Sequence, residues 1–137
     1  MVIQRKQIGY NYSIRNRKIE GIVIHDTSNK DKGANAEAHY NYFNSANRNS
    51  SADIFVDKDS IWIINDYNRF YTWQCGDNPN YSKRRFSNQN SLGIELCVND
   101  MANINLVIDN AVFITRKLMS ELNISVEDYD SYAFILY

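Results

Sequence analysis

Two residues are polar where their neighbours are apolar. His25 ends the run Ile22, Val23, Ile24 and is followed by Asp26 and Thr27; Glu95 sits inside "SLGIELCV", residues 91–98. An imidazole delivered by the end of an apolar strand suits a metal ligand or a proton acceptor, or packs as a structural side chain. A carboxylate placed in an apolar strand costs several kcal/mol unless it is hydrogen-bonded, ion-paired or open to a wet cleft, where it can move protons. His39, the other of the two histidines, lies among alanines and aromatic residues at helical spacing and reads as structural or surface. Cys75 or Cys97 could be paired with His25 as a nucleophile, but no local signature supports this, and two reduced, partly buried thiols is the simpler reading. Lys83, Arg84 and Arg85 form a basic cluster that is either a solvated turn or a contact for a carboxylate-bearing ligand.

The elements that must carry these residues are legible in the pattern. A chain of 137 residues with 44% hydrophobic and 23% charged residues fits one globular domain able to bury its own core. A net charge of -1 provides no field for nucleic acid or an anionic membrane. No run approaches the roughly 20 apolar residues of a membrane span. The basic start has no apolar core of signal-peptide length, so the chain is expected to be cytoplasmic as synthesised.

Residues 1–18 read as an extended arm without an element of its own. "IEGIVIHDT" is continuously apolar, which predicts a strand in the middle of a sheet covered by helices, with His25 at its C-terminal end. Ala36, His39, Tyr40 and Phe43 mark a short helix. Two β-rich runs, 53–57 and 60–65, flank a Lys-Asp turn and predict a hairpin. Residues 70–91 hold the only proline and read as a long loop of functional type. Residues 91–98 form a second interior strand, and Ile104, Val107, Ile108, Ala111, Leu118 and Leu122 mark one face of a helix of about five turns.

In that order the segments "GIVIHDTSN", "GANAEAHYNYFNSANRNSSADIFVDKDSIWIIND", "FYTWQCGD" and "NQNSLGIELCVN" resemble the zinc-dependent N-acetylmuramoyl-L-alanine amidases of the amidase type 2 family, especially clostridial and phage endolysins and autolysins. The resemblance runs from about residue 19 to 127. It implies the α/β fold shared with peptidoglycan recognition proteins: a central mixed sheet flanked by helices, with a groove across one face. His25 matches the family's first zinc ligand. Glu95 matches the glutamate that serves as general base in many members, where zinc polarises the scissile carbonyl and lowers the pKa of bound water. Trp73, Cys75, Gly76 and Asp77 match a groove-lining segment in which a histidine often replaces Gln74; Tyr71, Trp73, Phe86, Arg84 and Arg85 are the implied contacts for peptidoglycan or a muropeptide.

The resemblance departs from the family after about residue 128. Relatives continue through Val-Val-Arg-His-Tyr-Asp and then a Lys and a Cys-Pro, which bring the second and third ligands. Here "VED" runs directly into "YDSYAFILY", as in a truncated or altered, prophage-remnant ending. Two readings follow: a muramoyl-amide hydrolase of weak or no activity, short of two zinc ligands that Asp26, Asp53 and Asp130 replace poorly, or a pseudoenzyme that binds peptidoglycan without cutting it. Without a neighbouring cation, Glu95 is expected to feel mainly desolvation and to have a raised pKa. The uncharged, β-prone tail "SYAFILY" is expected to replace the family's last strand or to pair with a second chain as a dimer.

Overall fold

The computed structural model describes residues 1–77 and 86–125. Five strands form a mixed sheet: β1 (Val2–Arg5), β3 (Gly21–Asp26), β4 (Ile54–Val56), β5 (Ser60–Ile63) and β7 (Ser91–Leu96), in the order β1-β5-β4-β7-β3. β3, β7 and β4 run parallel; β5 turns back antiparallel to β4, and β1 lies parallel to β5. A separate ribbon pairs β2 (Tyr12–Ile14) with β6 (Phe70–Thr72).

The expected hairpin is present as β4 and β5. Its turn is held by Asp57, whose carboxylate accepts from the backbone N–H groups of Asp59 and Ser60 and, on its other oxygen, from that of Ala36 at the start of α1 (Ala36–Ser45). One buried side chain thus closes the hairpin and satisfies an otherwise unpaired donor of the helix start. Asn35 caps the same helix through Ala38 N–H.

Alternation along the strands divides the core in two. Ile54, Val56, Ile61, Ile63, Leu92 and Ile94 face α2 (Ile104–Leu122), which buries Val107, Ala111, Ile114 and Leu118 against them. On the other face Phe55, Trp62 and Cys97 pack under α1, with Tyr40 stacked on Trp62 and Phe43 on Phe55. α2 ends at Asn123, whose left-handed backbone (φ 54°) suits a residue that tolerates that region.

Several sequence expectations are corrected. The first 18 residues are not a featureless arm: they supply edge strand β1 and strand β2, because Val2 to Arg5 find hydrogen-bond partners in Ser60 to Ile63, far along the chain. β3 is not in the middle of the sheet but ends it among the described residues. Its apolar run is continuous because Val23 is buried on the α1 face while Ile22 packs half-buried against the α2 core. Residues 70–91 contain strand β6. On α2, Ile108 is 44% exposed, whereas Ile114, outside the expected stripe, is buried in the core.

Candidate active site

The parallel pairing of β3 and β7 sets His25 directly opposite Glu95. The register continues from Glu95 to Phe55 and from Phe55 to Trp62, so these side chains form one row across the α1 face. The two residues singled out in the sequence are therefore neighbours at the C-terminal ends of parallel strands.

Glu95 is mostly buried. Its Oε2 is fully enclosed and has no hydrogen-bond partner among the described residues. Desolvation, and secondarily the nearby negative charge of Asp26, push its carboxyl up from the ordinary 4.5 to about 8. Burial is thus the main cause of the rise.

His25 Nε2 lies 2.7 Å from Gln74 Oε1. Gln74 in turn donates from Nε2 to Ser91 Oγ at 2.7 Å, and Ser91 Oγ donates to the Ser87 carbonyl at 2.5 Å. Gln74 lies flat on β7 because position 93 is glycine: a Cβ there would come within 2.8 Å of Gln74 Cγ. The backbone of this segment is clamped by Asn88, whose buried Oδ1 accepts from three successive N–H groups, those of Gln74, Cys75 and Gly76. Gln74, Asn88 and Ser91 were given no site role by sequence reasoning. The available signal was Gly93, since glycine inside a strand often marks a close approach by another group.

His39 borders the same row. Its ring stacks on Phe55 with centroids 4.9 Å apart, and its Nδ1 lies 2.8 Å from the Asn35 carbonyl. Burial lowers its pKa, partly opposed by that hydrogen bond. Cys97 Sγ lies 3.9 Å from His39 Nδ1, and burial raises the Cys97 thiol far above its usual range, the opposite of an activated nucleophile.

The expected ligand contacts are placed less directly. Trp73 immediately precedes Gln74, but its indole N–H donates to Ser13 Oγ on β2, and Tyr71 pairs with that same Ser13 in the β2–β6 ribbon. Phe86 fills the space over Gly21, where a Cβ would lie 2.2 Å from its ring. Arg84 and Arg85 lie outside the described residues. Of the carboxylates, Asp53 is wholly buried under Gly93 and accepts from Gly93 N–H and Asn65 Nδ2, so its oxygens are committed. Asp26 Oδ1 accepts from both the N–H and hydroxyl of Ser28. Asp130 and the rest of the C-terminal tail lie outside the described residues.

A catalytic zinc takes three protein ligands and keeps a position open. Among the described residues no group of three or more His, Cys, Asp or Glu could hold a metal ion. Around His25 the described residues bring one imidazole but no group of three ligands, so by themselves they do not complete a zinc centre.

Residues 15–134 match the family model described as N-acetylmuramoyl-L-alanine amidase. CwlH of Bacillus subtilis (strain 168), an N-acetylmuramoyl-L-alanine amidase, is 34% identical over 105 residues, covering 75% of this chain and 39% of CwlH. XlyA of the same organism, also named N-acetylmuramoyl-L-alanine amidase, is 31% identical over 105 residues, 77% of this chain and 33% of XlyA. The chain thus spans well under half the length of these two relatives. A mutant endolysin from Bacillus subtilis superposes with a TM-score of 0.80 at 31% identity, covering 93% of this chain and 82% of that one.

Proposed function

We propose, for a chain that belongs to the N-acetylmuramoyl-L-alanine amidase family, that it engages peptidoglycan at the His25–Glu95 end of the sheet and acts there as a binding domain with weak hydrolysis or none. The observation that supports this reading is the donor set: among the described residues a single histidine with no group of three metal ligands around it, beside a carboxyl whose pKa burial and Asp26 raise. Family members generally depend on zinc, and the described residues of this chain do not assemble the ligands for it.

What these residues do without a metal follows from their chemistry. With its pKa near 8, Glu95 holds its proton at neutral pH. It then donates a hydrogen bond instead of accepting a proton, as a carboxylic acid kept neutral by an apolar site does. The amide between N-acetylmuramic acid and L-alanine presents a carbonyl oxygen that can accept that bond. Arg84, Arg85, Tyr71 and Trp73 are proposed to contact the glycan or stem peptide, and a net charge of -1 disfavours nucleic acid as the partner. No helix among the described residues is long and apolar enough to cross a membrane.

One observation favours a hydrolase: Glu95 stands in register with His25 and its Oε2 has no hydrogen-bond partner among the described residues, the placement a general base needs once a cation lowers its pKa. The two readings separate on the protein purified without chelators. Binding to insoluble cell wall that survives EDTA, with no stoichiometric zinc and no release of soluble fragments, is the expected result. Stoichiometric zinc with chelator-sensitive fragment release replaces the binding reading by the hydrolase. Absence of both wall binding and release refutes each.

A further inference from the structure

The polarity of the hydrogen bonds around His25 can be worked out from one end. The Ser87 carbonyl only accepts, so Ser91 Oγ donates its proton there and meets Gln74 with a lone pair. Gln74 therefore presents its NH2 to Ser91 and its oxygen to His25. An amide oxygen only accepts, so His25 Nε2 must carry a hydrogen. The amide orientation is set at Ser91: exchanging the oxygen and nitrogen of Gln74 would face its oxygen with a Ser91 Oγ whose hydrogen is committed to the Ser87 carbonyl, two acceptors 2.7 Å apart.

We infer that Gln74 is a positioning residue that fixes His25 as an Nε2–H donor, through the chain Ser87–Ser91–Gln74–His25, and so leaves Nδ1 as the nitrogen with a lone pair. A metal or ligand donor that approaches His25 must use Nδ1 or dislodge Gln74 from both of its partners. This assignment rests on the hydrogen-bond chain alone and holds whether the domain binds or hydrolyses its substrate.

The test is proton–nitrogen NMR of the histidine side chains in the full chain, the two rings being assigned with a His39→Gln variant. In the parent, His25 should show a directly observable Nε2–H resonance, slowed in exchange by its hydrogen bond by roughly tenfold relative to Gln74→Ala, with Nδ1 unprotonated. Ser91→Ala, which does not touch His25, should weaken the same signal, because nothing then orients the amide. Gln74→Glu, an acceptor at either oxygen, should restore it even in the Ser91→Ala background. Gly93→Ala, which displaces Gln74, should abolish it. Thermal unfolding reports whether each variant is folded; if Gln74→Ala is not, Ser91→Ala and the Gln74→Glu rescue carry the decision. A parent His25 with its hydrogen on Nδ1, or an Nε2–H signal indifferent to both Gln74→Glu,Ser91→Ala and Ser91→Ala, overturns the assignment.

Discussion

Replacing Glu95 by glutamine should stabilise the metal-free protein, and by an amount that depends on pH. The carboxyl has a folded pKa of about 8 against an ordinary 4.5. Because the folded pKa is raised, folding favours the protonated form. The penalty is absent below pH 4.5, grows between 4.5 and 8, and is complete above 8. At about 1.4 kcal/mol per pH unit the upper limit is roughly 4 kcal/mol at pH 8 and below about 1 kcal/mol at pH 5. Glu95 keeps some contact with solvent, which screens its charge, so about 2 kcal/mol at pH 8 is the working expectation. Glutamine keeps the shape and stays neutral throughout. Thermal unfolding in EDTA should therefore show the variant's Tm above the parent's by about 6 to 10 °C at pH 8 and nearly equal to it at pH 5. A variant less stable than the parent at pH 8, or a large rise in the parent's Tm when zinc replaces EDTA, would mean that a cation stabilises the carboxylate and that the account of this site is wrong.

Arg15 donates to four backbone carbonyls, those of Tyr67, Phe70, Gln89 and Ser91, and ties the β2–β6 ribbon to the start of β7; Arg15→Ala should lower stability by about 2 to 4 kcal/mol in urea unfolding. Cys97 is buried with its thiol pushed up, so it should resist a thiol reagent in the folded protein and react on denaturation; prompt modification of both cysteines would contradict this. Trp73→Ala should weaken wall pull-down in EDTA with the fold intact by circular dichroism, and unchanged binding would remove Trp73 from the proposed contact surface. If the tail "SYAFILY" pairs between chains, light scattering should give a dimer that becomes a monomer when residues 131–137 are deleted; a monomer before deletion refutes that assembly.

How much was legible in the sequence differs from residue to residue. The hairpin of β4 and β5, strand β7 and helix α2 follow from local periodicity, because alternation and a 3.6-residue repeat are written in adjacent residues. His25 and Glu95 stand out for the same local reason, each being polar amid apolar neighbours. Their meeting is not local. It depends on the register of β3 against β7, which hydrogen bonds and burial set between segments far apart in the chain. Strand β1 was missed because its four residues have little intrinsic strand pattern and become a strand only through β5. Ile108 fits the helical stripe in sequence yet is left exposed, while Ile114, in helical step with Val107, Ala111 and Leu118, is buried. Gln74 is the furthest from sequence reasoning: its composition suggests only a polar loop residue. Its hold on His25 exists because Gly93 makes room and Asn88 holds its backbone, while the Ser87 carbonyl sets the direction of every proton in the chain. The sequence by itself determined which residue types could do chemistry and the elements that carry them; only the tertiary structure decided which of them face one another and which atom gives the hydrogen, because both depend on distances and angles between residues that the chain keeps apart.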